Sequence, residues 1–159
     1  MSVNKYLLHV FVLPEDDANR QLANGFLLDL SARQVQVLPE AGGWTQVRDR
    51  FALDHVEGVR KFGDRFIVLL IDFDDHINRL KTMKTVIPGD LTDRVFVLGT
   101  LSKPEALRQA GLGSYETIGK AMADDCRSGT KVIWAHDLLR HNEGELARLR
   151  TAICGTLFP

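Results

Sequence analysis

Two runs of acids stand out by where they fall. Pro14-Glu15-Asp16-Asp17 follows the apolar run KYLLHVFVL (Lys5 to Leu13), and Asp72-Phe73-Asp74-Asp75 closes the still more apolar run RFIVLLIDF (Arg65 to Phe73). Side chains alternate along an extended chain, so Asp72 and Asp74 point to the same side. Carboxylates crowded together resist ionisation unless a cation sits among them. An oxygen-only donor set suits a hard ion, Mg²⁺ or Mn²⁺. Acids at strand ends also cap the helix that follows, and Asp75 is placed for that role. Two acidic clusters on one predicted edge favour a cation site.

Other reactive side chains carry weaker signals. His76 lies beside Asp74 and Asp75 and is expected as an exposed first-turn residue. His136 and His141 in WAHDLLRHN are five apart, a poor spacing for one helical face, so they are expected to bond backbone at helix ends rather than to bind zinc. Cys126 and Cys154 have no zinc-ligand spacing and are expected as buried free thiols of a reducing compartment. Arg79, Lys81 and Lys84 follow Asp75, placed either to meet phosphates at a pocket rim or to form a solvated helix face. No G-x-G-x-x-G pattern marks a dinucleotide site.

The acids need a scaffold, and the hydrophobic pattern supplies one. Strands are predicted at Lys5 to Leu13, Gln34 to Leu38, Arg65 to Phe73 and Arg94 to Leu98. Helices are predicted at Glu15 to Leu30, Trp44 to Phe62 (with a break near His55 or Gly58) and Asp75 to Ile87. Pro39 and Gly42-Gly43 mark a loop. Runs apolar on both faces suit strands covered by helices on both sides. The alternation predicts an α/β fold, a mostly parallel four-stranded sheet flanked by helices, Rossmann-like in kind. Its strand C-termini would share one edge, where ligands of such sheets bind. Helices at Pro104 to Leu112, Tyr115 to Arg127 and Trp134 to Leu157 form a C-terminal extension, from about 103 to 157, within one domain covering 1–159. Ser114 is placed as an N-cap, and Asn142 with Glu145 resembles a capping box. The last helix carries Leu146, Leu149, Ile153 and Leu157 as a stripe for the core or for a homodimer.

HVFVLPED with Glu15, VQVLPEAGG with Gly42 and Gly43, and FIVLLIDFD with Asp72 and Asp74 together resemble a Toprim domain. That is the metal-binding module of topoisomerases, bacterial primases and the overcoming-lysogenization-defect nucleases. The resemblance spans about Tyr6 to Glu105 and is nearest to the nuclease type. It implies that Glu15, Asp72 and Asp74 hold Mg²⁺ (or Mn²⁺) for phosphoryl transfer, with Glu105 in TLSKPEAL adding a ligand and Lys103 as the nearest catalytic lysine. Asp16 departs from the usual glycine after the glutamate. Part of the same text also looks like a response-regulator receiver domain. Asp72 would then accept the phosphoryl group, with Thr100 as the switch hydroxyl and Lys120 as the lysine, but no strand is evident just before Lys120.

Composition bounds the rest. At 159 residues, 45% hydrophobic and 26% charged, the chain is of ordinary globular make-up. A formal net charge of −1 gives no global pull towards nucleic acid. With no signal peptide and no apolar run of membrane-spanning length, a cytoplasmic protein is expected. The expected activity is metal-dependent hydrolysis of a phosphodiester in DNA or RNA. The alternatives are a non-catalytic Toprim-like module that binds a separate protein, and the receiver-like phosphoacceptor.

Overall fold

The computed structural model describes residues 2–31 and 33–159. Four strands form one all-parallel sheet in the order β2-β1-β3-β4: β1 (His9–Pro14), β2 (Val35–Val37), β3 (Arg65–Leu70) and β4 (Val95–Leu98). β1 is central, with Val10 against Val35 on one side and against Phe66 on the other. The predicted α/β class with a parallel, helix-flanked sheet is therefore found. The strands are shorter than the apolar runs. Lys5 to Leu7 form a turn, with Tyr6 and Leu7 exposed, and β3 ends at Leu70, although Ile71 and Phe73 still donate to the Leu98 and Thr100 carbonyls (3.0 Å each).

Alternation divides the core in two. Val10, Val12, Val68, Phe96 and Leu98 face one helical layer, and Leu13, Ile67, Leu69, Val95 and Val97 face the other. The first layer holds α1 (Asp17–Phe26), α5 (Pro104–Gln109), α6 (Tyr115–Ser128), α7 (Glu143–Leu149) and the short α8 (Gly155–Leu157). The second holds α2 (Trp44–Arg50), α3 (Val56–Lys61) and α4 (Asn78–Lys84). The break expected near His55 is a π-helical turn over Phe51–His55. Gly25 and Gly119 let α1 and α6 meet backbone to backbone: an added Cβ would lie 2.2 Å from the Glu116 carbonyl oxygen or 2.0 Å from that of Leu22. That contact fixes α1, which carries part of the site.

The C-terminal region departs from the expected long helix. Thr130 to Leu139 run as turns, α7 begins only at Glu143, and a π-helical turn (Arg150–Cys154) precedes α8. Asp125 explains the turns. Its buried carboxylate accepts from Thr130 Oγ1 (2.6 Å) and from the backbone N–H groups of Val132 (2.9 Å), Ile133 (2.9 Å) and Trp134 (3.2 Å). Burial alone would raise its pKa, but these donors outweigh burial and hold it below the ordinary value. Leu146, Leu149, Ile153 and Leu157 do enter the core.

Two further expectations are corrected. Asn142 makes no capping bond to α7. It turns to β4 instead, accepting from Gly99 N–H (3.1 Å) and donating to the Gly99 carbonyl (2.9 Å), while Glu145 accepts from Val97 N–H (3.0 Å). Cys126 and Cys154 are not free thiols. They are joined in a disulfide that ties α6 to the C-terminal turn, with Cα atoms 5.7 Å apart. Among the described residues no helix is long and apolar enough to cross a membrane.

Candidate functional site

The strand order reverses direction at β1 and β3, the switch point where parallel sheets open a crevice beyond their strand C-termini. Glu15 follows β1 and Asp72 follows β3, and both are buried. Glu15 Oε2 accepts from the Asp72 backbone N–H at 2.5 Å. Asn19, fully buried on α1, bridges the next pair: its amide donates to Asp72 Oδ1 (2.7 Å) and to Asp16 Oδ1 (2.9 Å). Asp16 also caps α1 by accepting from Asn19 N–H at 2.9 Å. On the β4 side the Phe73 N–H bonds the Thr100 carbonyl (3.0 Å), which carries the pairing one step past Leu70 and Leu98 and sets Thr100 beside Asp72.

The electrostatics follow from crowding in a dry place. Burial pushes the Asp72 carboxyl from 3.8 up to about 7; the Asn19 bond pulls back, and Glu15, Asp16 and Asp74 push further up. Glu15 is also raised, first by burial and with small contributions from Asp16 and Asp74, against the lowering bond from the Asp72 N–H. Arg79 is the cation nearest these acids. Its Nη1 donates to the Asp72 carbonyl oxygen and to Asp74 Oδ2, each at 2.7 Å, and its guanidinium lies 4.6 Å from the centre of the Trp44 ring.

Loops hold these groups in place. Asp74 and Asp75 adopt left-handed backbone (φ 48° and 61°), which aspartate tolerates better than most residues. Asp74 N–H bonds the Ser102 carbonyl (3.1 Å) and Asp75 N–H that of Leu101 (2.7 Å). Asp75 is thus no helix cap; α4 starts at Asn78 without a side-chain cap. On the other side Gly42, at φ 101°, turns the chain so that its N–H reaches the Glu15 carbonyl at 2.8 Å.

The remaining candidates lie elsewhere. Lys103 and Glu105 are exposed at the start of α5, and His76 is exposed after the turn. Lys120 is exposed in the middle of α6, not at a strand end. The place of a fifth strand beside β4 is occupied by Asn142 and Glu145. His136 accepts from the Leu138 N–H at 3.1 Å, as expected of a backbone-bonding histidine. The His141 ring packs edge-on against Phe73 with centroids 4.8 Å apart; burial lowers its pKa, and the neighbouring Gly99 backbone pulls it partly back, though no close hydrogen bond is made.

Seven buried side-chain polar atoms among the described residues lack a hydrogen-bond partner. Six belong to Asn19, Asp74, Thr100, Ser102 and His141, around the strand C-termini and their loops. Such orphans are costly and call for a reason. The donor chemistry fits a hard cation. Glu15 Oε1 and Asp72 Oδ2 take no hydrogen bond and are not sealed from solvent. Mg²⁺ commonly binds through one or two carboxylates and keeps its other waters. Among the described residues no group of three or more His, Cys, Asp or Glu is placed to hold a metal ion, so the expected set of Glu15, Asp72, Asp74 and Glu105 is not brought together.

No family model, curated protein or solved structure matches the chain. The functional reading therefore rests on the geometry of the crevice. Asn19 and the Arg79 pairing escaped the sequence reading. Asn19 lies 53 residues from Asp72, and only its place three residues after Asp16 hinted at a capping role.

Proposed function

We propose that the crevice holds a divalent cation, Mg²⁺ or Mn²⁺, between Glu15 and Asp72, and that the protein carries out phosphoryl transfer, namely hydrolysis of a phosphodiester in nucleic acid. The observation that carries the reading is Asp72. It is a buried carboxylate at the switch point, pushed up to about 7 by burial and by three neighbouring acids, with one oxygen unbonded. Only an added positive charge lets such a group ionise comfortably at neutral pH. A bound ion would activate water and neutralise the charge that develops at phosphorus. Asn19 fixes the Asp72 rotamer, and Glu15 braces the loop through the Asp72 N–H. Arg79 Nε and Nη2 take no protein acceptor and are not sealed from solvent, so the guanidinium edge is free to meet a phosphate oxygen while Nη1 stays on Asp74. Lys103 and Glu105, exposed at the start of α5, are the residues to which the resemblance to Toprim nucleases gives the roles of catalytic lysine and added metal ligand.

The second reading is a non-catalytic module of the same fold that binds a protein partner. The pairing of Asp74 with Arg79 favours it, because a neutralised Asp74 is a weaker metal ligand. The receiver-like reading loses its support at Lys120 and at the occupied edge of β4. The cytoplasmic placement loses one of its supports in the disulfide, since such bonds persist chiefly in oxidising compartments.

Cleavage of single- and double-stranded DNA and RNA with Mg²⁺ or Mn²⁺ tests the proposal on the wild type, Asp72→Asn and Lys120→Ala. The expected result is metal-dependent cleavage lost in Asp72→Asn and unchanged in Lys120→Ala. Calorimetric Mn²⁺ binding without cleavage would leave the binding module. No Mn²⁺ binding at millimolar metal would remove the cation site altogether.

A further inference from the structure

The opposite edge of the sheet, where the strands begin, gathers cations instead of acids. Arg65 opens β3 beside His9, the first residue of β1. Its Nε donates to His9 Nε2 at 2.9 Å. His9 Nδ1 in turn donates to the Leu7 carbonyl at 2.8 Å, which leaves Nε2 as the acceptor. The guanidinium carbon lies 4.3 Å from the centre of the Phe11 ring and 4.6 Å from that of Phe62. Lys5 Nζ and Lys61 Nζ stand 5.3 Å and 5.4 Å from the centre of the same Phe62 ring. Three cations thus share one phenyl ring, each within cation–π range.

Among the described residues no carboxylate forms an ion pair with Lys5, Lys61 or Arg65. Burial alone acts on the Arg65 pKa, lowering it. Like charges this close repel unless an anion sits among them. The two rings and His9 fix the guanidinium, while Nη1 and Nη2 take no protein acceptor and are not sealed from solvent. That edge matches two oxygens of a phosphate. Beside Lys5 the Tyr6 ring is 86% exposed. An aromatic face left in water next to unpaired cations is what a base and its phosphate require.

We infer that this edge binds single-stranded nucleic acid, with backbone phosphates on Lys5, Lys61 and the Nη edge of Arg65 and a base stacked on Tyr6. The choice of polymer rests on the nucleic-acid reading of the crevice. The surface itself needs no metal, and the six residues of β1 set it roughly 17 Å from the acids. The net charge of −1 does not oppose it, because salt screens charges beyond about 8 Å.

Fluorescence anisotropy of a labelled oligothymidylate with the full chain, in EDTA and over a range of salt, tests it. The expected result is metal-free binding that weakens as salt rises. Each phosphate contact on a single strand contributes about 0.7 to the log–log salt slope. Lys5→Gln combined with Lys61→Gln should therefore flatten the slope by about 1.4, and Arg65→Gln by about 0.7. Tyr6→Ala should weaken binding about 5–150-fold at unchanged slope, the range for one stacked base. Lys5, Lys61 and Tyr6 are exposed, so their variants keep the test open if Arg65→Gln fails to fold. Lys120→Gln removes one charge from α6 and should change nothing. No binding at low salt, a Tyr6→Ala variant that binds as the wild type does, or a Lys120→Gln effect equal to that of the lysine pair would each overturn the inference. So would binding to phosphatidylserine vesicles in place of the strand. Binding in EDTA without cleavage in Mg²⁺ would sink the crevice reading alone. Metal-dependent cleavage indifferent to the Lys5 and Lys61 changes would sink this one alone.

Discussion

Asp72 is the residue on which the molecule's charge balance turns. A carboxyl whose pKa is raised by folding binds its proton more tightly in the folded state than in the unfolded chain. Between about pH 4 and pH 7 the folded protein therefore carries a proton at Asp72 that the unfolded chain has lost, and stability declines as pH rises through that window, then levels. The slope from this one group reaches at most about 1.4 kcal/mol per pH unit. Asp72→Asn removes the titration and keeps an oxygen for the Asn19 bond. In the absence of metal it should melt above the wild type at pH 8 and close to it at pH 4.5. Parallel curves for the two proteins across that range would show that Asp72 is not the strained acid. Its position was legible in the sequence, because two apolar runs each ended in acids on the same predicted sheet edge, where a single such cluster would read as a helix cap. Its partners were not: Asn19 meets Asp72, and Arg79 meets Asp74, only after the strands have paired and the left-handed turn at Asp74 and Asp75 has formed.

At the scale of elements, the unusual feature is how the sheet ends. The free edge of β4 would expose a row of backbone donors and acceptors. Here two side chains at the start of α7 satisfy them, Asn142 at Gly99 and Glu145 at Val97. Glu145 is buried, and Lys84 and Arg148 balance its charge. Asn142→Ala orphans both the N–H and the carbonyl of Gly99 and should cost about 2–6 kcal/mol in urea unfolding, each buried unsatisfied group costing about 1–3. Glu145→Ala should cost about 1–3 kcal/mol for the orphaned Val97 N–H, with little added from Lys84 and Arg148, whose side chains are 42% and 31% exposed and can rehydrate. Losses below 1 kcal/mol for both would mean that water satisfies the edge instead. The four strands could be read from their apolar runs. The edge could not, because Asn-x-x-Glu before an apolar stripe has the spacing of a helix cap, and only the position of β4 shows that both side chains are used across the fold.

For the whole molecule, two linkages are measurable. If an ion binds only the folded protein, Mn²⁺ at ten times its Kd stabilises by about 1.4 kcal/mol, or roughly 3–6 °C in Tm for a chain of this size. That rise should vanish in Asp72→Asn, and an unchanged melting curve in the wild type would remove the cation. The disulfide closes a loop with a sequence separation of 28, for which the chain-entropy model gives about 3–4 kcal/mol. Adding dithiothreitol, or substituting Cys126→Ser, should lower stability by that order, and no response would mean the thiols are free in solution. The pairing was beyond sequence reasoning because two cysteines 28 apart carry no geometry until α6 and the C-terminal turn are packed. The capped edge of β4 has a last consequence, in time rather than in energy. Synthesis reaches Leu98 some 44 residues before Asn142 (142 − 98). At about 5–20 residues per second, a finished strand edge waits roughly 2–9 s for its cover. During that interval any other extended chain can pair with it, so newly made copies are at their most adhesive just before they are complete.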